Sequence, residues 1–178
     1  MSDHDHHQDR HDALSGDKAA ARVTVERATE SAKPLVRRLL ELNAHDFSEF
    51  DGRDVSEHGE FGYRYLDHYW TEPEDRQALL IRCNNAIAGV ALVRRGAPHQ
   101  VAEFFILRKF RRRGVGLQAA REALRTWPGQ WETHEVPNND GAVSFWRTAI
   151  PVAYTEDADD HGTTQRFVIT DAMQGPQR

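Results

Sequence analysis

The stretch Ile106-Leu107-Arg108-Lys109-Phe110-Arg111-Arg112-Arg113-Gly114-Val115-Gly116 decides the reading of the fold. An apolar run at 101–107 (VAEFFIL) enters a basic turn, and after Gly114 the pattern becomes helical through Trp127, where Pro128-Gly129 stops it. A helix start leaves its first backbone N–H groups unpaired and adds the positive end of the peptide dipoles, while glycine admits a phosphate without Cβ contact. Residues 108–125 hold seven basic side chains against one acid, Glu122, in a chain of net charge −5. Strand, basic turn and glycine-opened helix together make a cradle for a pyrophosphate-like anion. A dinucleotide fingerprint does not fit, because the spacing after the first glycine is wrong and no acid follows at a second strand end. A Walker loop is excluded by the lack of Gly-Lys-Ser/Thr.

Working outward, residues 77–83 (QALLIRC) and 87–94 (IAGVALVR) precede this segment as strand-like runs. With Asn84-Asn85 and Gly96-Ala97-Pro98 as turn chemistry, the three runs predict an antiparallel meander. VTVERA from Val23 alternates as a half-buried strand, and the apolar positions Leu35, Val36, Leu39, Leu40, Phe47 and Phe50 predict an amphipathic helix over 31–50. The connection 51–74 mixes acids with aromatics and carries a short helix near 62–70. Beyond the decisive segment come a strand at 131–136, a helix at 140–148 and a last strand at 165–170. This order calls for an α/β (α+β) domain, one mixed sheet of six to seven strands with helices on both faces, over residues 23–171. Residues 1–22, with four of the ten histidines and almost no large apolar side chains, read as a disordered leader, and 172–178 as a flexible tail.

At 178 residues and 20.3 kDa the chain has room for one domain. The single Cys83 excludes an internal disulfide and a thiolate metal cluster. No apolar run reaches the ~18–20 residues that span a bilayer, and no signal core opens the chain, so a cytoplasmic protein is expected, with no membrane partner. The overall negative charge gives no field for nucleic acid, and the basic segment lacks interleaved stacking aromatics.

Arg111-Arg112-Arg113-Gly114-Val115-Gly116 resembles the signature of the GNAT superfamily of acetyl-CoA-dependent N-acetyltransferases: Arg or Gln, two residues, Gly, one residue, Gly or Ala. Ile106, five positions before the arginine, stands where that family has the hydrophobic residue of a splayed central strand. Twenty-three residues after Gly116, Asn139-Asp140-Gly141-Ala142-Val143-Ser144-Phe145-Trp146 is similar to the family's second block. The resemblance implies acetyl-CoA as cosubstrate, no metal, an amine acceptor that is a small molecule or a peptide, and a homodimer. It implies cofactor contacts from Phe104, Phe105, Ile106 and Leu107 on the strand, from Arg111, Arg112, Arg113, Gly114, Val115 and Gly116 at the turn, and from Asn139, Phe145 and Trp146.

Acetyl transfer to an amine needs a base, a held thioester and donors for the developing oxyanion. Glu103, an acid in an apolar strand on the face opposite Phe104 and Ile106, is the candidate base, with a strand-edge carboxylate paired to arginine as the alternative. His134 on the next strand is a second candidate, against an ordinary core or surface histidine. Many family members place tyrosine where this chain has Trp146, and an indole cannot protonate a thiolate. Tyr154 or solvent is left for that role. Ten acids against three arginines over 46–76 suggest a cationic acceptor, and Tyr63, Tyr65 and Trp70 are candidate pocket walls or core. A non-catalytic CoA- or acyl-CoA-binding module is the alternative function.

Overall fold

The computed structural model describes residues 21–173. The leader expected at 1–22 and the tail expected at 172–178 therefore lie almost entirely outside the described residues. Strand β1 (Val23–Arg27) is followed by helices α1 (Lys33–Asp51) and α2 (His68–Thr71). Strands β2 (Arg76–Cys83), β3 (Ala86–Arg94) and β4 (His99–Ile106) come next, then α3 (Val115–Ala123), β5 (Gly129–Glu135) and α4 (Asp140–Ala149). Strands β6 (Tyr154–Asp159) and β7 (Gly162–Ile169) close the order.

The strands form one seven-stranded mixed sheet, ordered β1-β2-β3-β4-β5-β7-β6. Only β4 and β5 pair in parallel. Helices cover both faces of the central strands, which is why β2 and β3 read as nearly continuous apolar runs. Ala78 and Leu80 of β2 face α1 and α2, whereas Leu79, Ile81 and Cys83 face α3 and α4. Each fully buried Leu or Ile side chain contributes about 1.5–3 kcal/mol. Asn84 and Asn85 both adopt positive φ, +49° and +66°, as a two-residue hairpin turn requires.

Two features depart from the sequence expectation. Strand β6 (YTEDAD) is largely exposed and acidic, so it carries no apolar alternation; it exists because its backbone pairs along the whole of β7. Phe47 and Phe50 do not join the core of α1, which is made by Val36, Leu39, Leu40 and Ala44. They turn instead toward the site described below. No helix among the described residues is long and apolar enough to cross a membrane.

The parallel pairing of β4 with β5 lasts for two residues, His99↔Trp131 and Gln100↔Glu132. His99 closes this end on one face: its Nδ1 accepts from Gly96 N–H at 3.1 Å, so Nε2 donates to the Pro128 carbonyl at 3.0 Å, between Trp127 and Trp131. On the other face Gln100 Nε2 donates to Glu132 Oε1 at 2.6 Å. Beyond this clasp the strands diverge, since β5 continues to pair only with β7. The edge of β4 that faces β5 past Gln100 is therefore left without a strand partner.

Candidate active site

The basic turn lies at the open end of the splay. Arg112 and Gly114 take left-handed φ of +57° and +76°, which curls the chain into the start of α3. Gln118 N–H is the first to bond back, to the Gly114 carbonyl at 3.1 Å. Among the described residues, the N–H groups of residues 112–117 find no protein acceptor. This row of donors, with Arg112 and Arg113 beside it, stands where the sequence predicts an anion cradle. The two glycines serve it differently. A Cβ on Gly114 would meet nothing nearer than Gln118 Nε2 at 3.9 Å, so that glycine is required by φ. A Cβ on Gly116 would stand 3.3 Å from Phe145 Cε2, so a side chain there would press the ring by a few tenths of an ångström.

A cavity of about 570 Å³ runs from this turn between α1 and α4. Phe104, Phe145 and Trp146 form a mutually packed aromatic wall, with Phe104 stacked on Phe145 at 5.4 Å and edge-on to Trp146 at 5.4 Å. Asn139 caps α4, its Oδ1 accepting from Ala142 N–H at 3.1 Å, and it also lines the cavity. Opposite, α1 presents Asn43, Asp46, Phe47 and Phe50, an i, i+3, i+4, i+7 stripe. The unpaired N–H row, the glycine without Cβ against Phe145 and the free strand edge fit a phosphate-bearing group with an extended amide arm.

Glu103 lies on the α1 face of β4, next to a bulge. Leu92 faces Glu103 but Val93 faces Val101, so Ala102 has no partner on β3. Alternation with Phe104 and Ile106, which pack against the α3/α4 core, already sets Glu103 on the α1 face, and the bulge returns Val101 to the α3/α4 side. Glu103 therefore lies under α1, where Asn43 Nδ2 donates to its Oε2 at 2.7 Å. Burial pushes the Glu103 carboxyl up to about 7, against the lowering pull of the Asn43 hydrogen bond and of the Arg53 and Arg94 guanidinia. A carboxylate poised there is half ionised at neutral pH and suited to take a proton.

Residues 36–149 match the Acetyltransferase (GNAT) family, more than half of the chain. The chain belongs to the GNAT acetyltransferase family. Solved structures share the fold at low identity. An acetyltransferase from Thermus thermophilus is 18% identical, with a TM-score of 0.66 over 84% of this chain and 99% of that one. A ribosomal-protein alpha-N-acetyltransferase in complex with coenzyme A is 16% identical, with a TM-score of 0.60 over 84% and 95%. The PaiA N-acetyltransferase from Thermoplasma acidophilum, also in complex with coenzyme A, is 8% identical, with a TM-score of 0.57 over 83% and 99%. No curated protein matches the chain.

Within this GNAT domain the residues expected at the site divide. Phe104, Phe105, Ile106, Arg111, Arg112, Gly114, Gly116, Asn139, Phe145 and Trp146 line the cavity. Val115 is fully buried in the core, so only its N–H faces the cradle, and the Leu107 N–H is bonded to the Ala88 carbonyl at 2.8 Å. The Arg113 side chain is exposed beside the turn and does not line the cavity. His134 is exposed on β5, its Nδ1 3.0 Å from Thr164 Oγ1, outside the cavity lining. Tyr154 pairs with Phe167 at the start of β6 and packs against the core, also outside it. Of Tyr63, Tyr65 and Trp70, none lines the cavity; Trp70 Nε1 donates to the Ala28 carbonyl at 3.1 Å. The acidic wall is thinner than the sequence count, with Asp46 and Glu49 alone among the cavity-lining residues. Of the cavity-lining residues on α1, sequence reasoning passed over Asn43 and counted Asp46 only among the acids of 46–76; their signal was their spacing with Phe47 and Phe50.

Proposed function

We propose that the protein transfers the acetyl group of acetyl-CoA to a primary amine by direct attack in a ternary complex. The observation that carries this reading is Glu103, a half-buried carboxyl that Asn43 holds under α1 on the strand that leads into the basic turn, with burial raising it to about 7. Acetyl-CoA, when bound, supplies the thioester carbonyl. The N–H groups of residues 112–117 and the Arg112 and Arg113 guanidinia hold its phosphates. The free edge of β4 along Phe104 and Phe105 takes the amide arm, and Phe104, Phe145 and Trp146 keep the reacting end dry. Glu103 Oε accepts the proton that the ammonium must lose before it can attack. Trp146 offers no acid for the departing sulfur, so its proton comes from solvent. The Asp46 and Glu49 side chains favour a cationic acceptor, a small amine or a peptide N-terminus, and the likeness to a ribosomal-protein alpha-N-acetyltransferase supports the latter class.

Thermal unfolding with acetyl-CoA, followed by a thiol-release assay over an amine panel, tests the reading. A rise in Tm absent with adenosine, together with amine-dependent thiol release, supports it. A rise in Tm with no release for any amine leaves the CoA-binding module, and no rise at millimolar ligand removes both.

A further inference from the structure

Asn43 and Asp46 stand three residues apart on α1, so their side chains leave one face of the helix, and both line the cavity. Asn43 holds Glu103. Asp46 Oδ1 accepts from Arg108 Nη2 at 2.8 Å, and its Oδ2 accepts from Arg111 Nη2 at 2.5 Å. Arg111 is fixed further by its Nε, which donates to the Ile106 carbonyl at 2.6 Å, and its guanidinium lies 5.6 Å from the centre of the Phe105 ring. Burial raises the Asp46 carboxyl, but the hydrogen bonds and charges of Arg111 and Arg108 outweigh it and hold it below its ordinary value. The first arginine of the Arg-x-x-Gly-x-Gly turn thus faces a carboxylate of α1 rather than the anion cradle. A half-exposed ion pair adds only about 0–1 kcal/mol to stability, so what this one fixes is position.

We propose that Asp46 is a positioning residue of the transfer reaction: with Asn43 it ties the cofactor turn and the proton acceptor to one face of α1, and so sets the separation between bound thioester and Glu103. This rests on the N-acetyltransferase reading. The turn carries the donor and β4 carries the base, and α1 is the element that touches both through side chains three residues apart. The other charged or titratable groups facing Glu103 are Arg53, Arg94, Asp51 and Tyr63. None of them is altered in the test.

The test compares the full chain with Asp46→Asn, Asn43→Ala, the double variant and Arg108→Gln, which removes one exposed arm of the clamp. For Asp46→Asn, kcat at neutral pH is expected to fall about tenfold, as misplacement of a reacting group predicts. The rising limb of the kcat profile moves up in pH toward that of Asn43→Ala, because the Asn43 hydrogen bond lowers the Glu103 carboxyl. The double variant moves it no further, and Arg108→Gln gives a smaller shift in the same direction. Wild-type kcat and limb in Asp46→Asn would overturn the proposal, as would a change confined to KM for acetyl-CoA, which would make Asp46 a charge balance for the phosphates. Carboxyl 13C titration of Glu103 reads the same coupling without turnover. An upward shift in Asp46→Asn with no acetyl transfer by the wild type leaves the coupling standing and the enzymatic reading failed; an unshifted titration overturns the coupling.

Discussion

Asn43 Nδ2 donates to Glu103 Oε2 at 2.7 Å, tying α1 to β4 beside the bulge at Ala102. The bond favours the ionised carboxylate, whereas burial favours the acid, and burial prevails, at about 7. Turnover with saturating acetyl-CoA should therefore rise with pH through about 7. Glu103→Gln should lower kcat by about a hundredfold or more while leaving acetyl-CoA affinity within about threefold. Steady-state kinetics over pH, with calorimetry for binding, check this. Retained turnover in Glu103→Gln would make the carboxyl structural.

Gly114 and Gly116 should fail in different ways. Gly114→Val forces a β-branched residue to φ near +76° and sets its methyls beside the N–H row, so acetyl-CoA binding should be lost with most of the fold intact. Gly116→Ala sets a methyl 3.3 Å from Phe145, and that ring is already packed on Phe104 and Trp146. Overpacking of this kind costs about 1 kcal/mol or more, a fall in Tm of about 2–4 °C, with weaker acetyl-CoA binding from the displaced wall. Calorimetry and thermal unfolding of both variants separate the two mechanisms. Equal losses of stability would mean that Gly114 also serves packing.

The central strands, the basic turn and the two glycines were legible because they obey local rules: period-2 burial, paired Asn residues in a hairpin turn, a helix start that needs free N–H groups. The splay came only with the family resemblance and from no local rule, since it depends on where β5 parts from β4 beyond Glu132. The acidic β6 has no local signal and is strand only by pairing. On α1 the apolar period could not separate Leu39 and Leu40, which face the sheet, from Phe47 and Phe50, which face the cavity. Glu103 stood out as an acid among apolar residues, but Asn43 and Asp46 lie some sixty residues from their partners, at |i−j| of 60 and 62 to Glu103 and Arg108. Contacts at that separation are a property of the fold.

Glu135 sets a pH dependence of stability independent of catalysis. It is 3% exposed, and among the described residues neither carboxylate oxygen has a hydrogen-bond partner; the Thr133 hydroxyl donates instead to Gln165 Oε1 at 2.7 Å. Burial pushes its carboxyl up to about 7 from an ordinary 4.5, with the Glu156 carboxylate adding repulsion. A folded-state value above the unfolded one means stability that is present below about 4.5 and lost as pH rises through about 7. Glu135→Gln should match the wild type at low pH and be about 1–3 kcal/mol more stable near pH 8. Denaturant unfolding at several pH values checks it, and parallel curves for the two proteins would show that Glu135 finds a partner in solution.

His134 and Tyr154 provide the sharpest contrast with Glu103. All three were candidates for moving a proton and none of them lines the cavity, but only Glu103, half-buried under α1, is hydrogen-bonded to a residue that does. His134 sits exposed against Thr164, and Tyr154 packs into the core from the start of β6. A general acid or base must come within hydrogen-bond reach of the proton it moves, directly or through one water. If protonation of the sulfur falls to solvent, Tyr154→Phe should keep kcat within about twofold and leave the descending limb of the pH profile in place. His134→Ala should likewise hold kcat within about threefold, with the rising limb unmoved. A loss of the falling limb in Tyr154→Phe would return the phenol to the reaction, and would require the start of β6 to approach the Trp146 wall when acetyl-CoA binds.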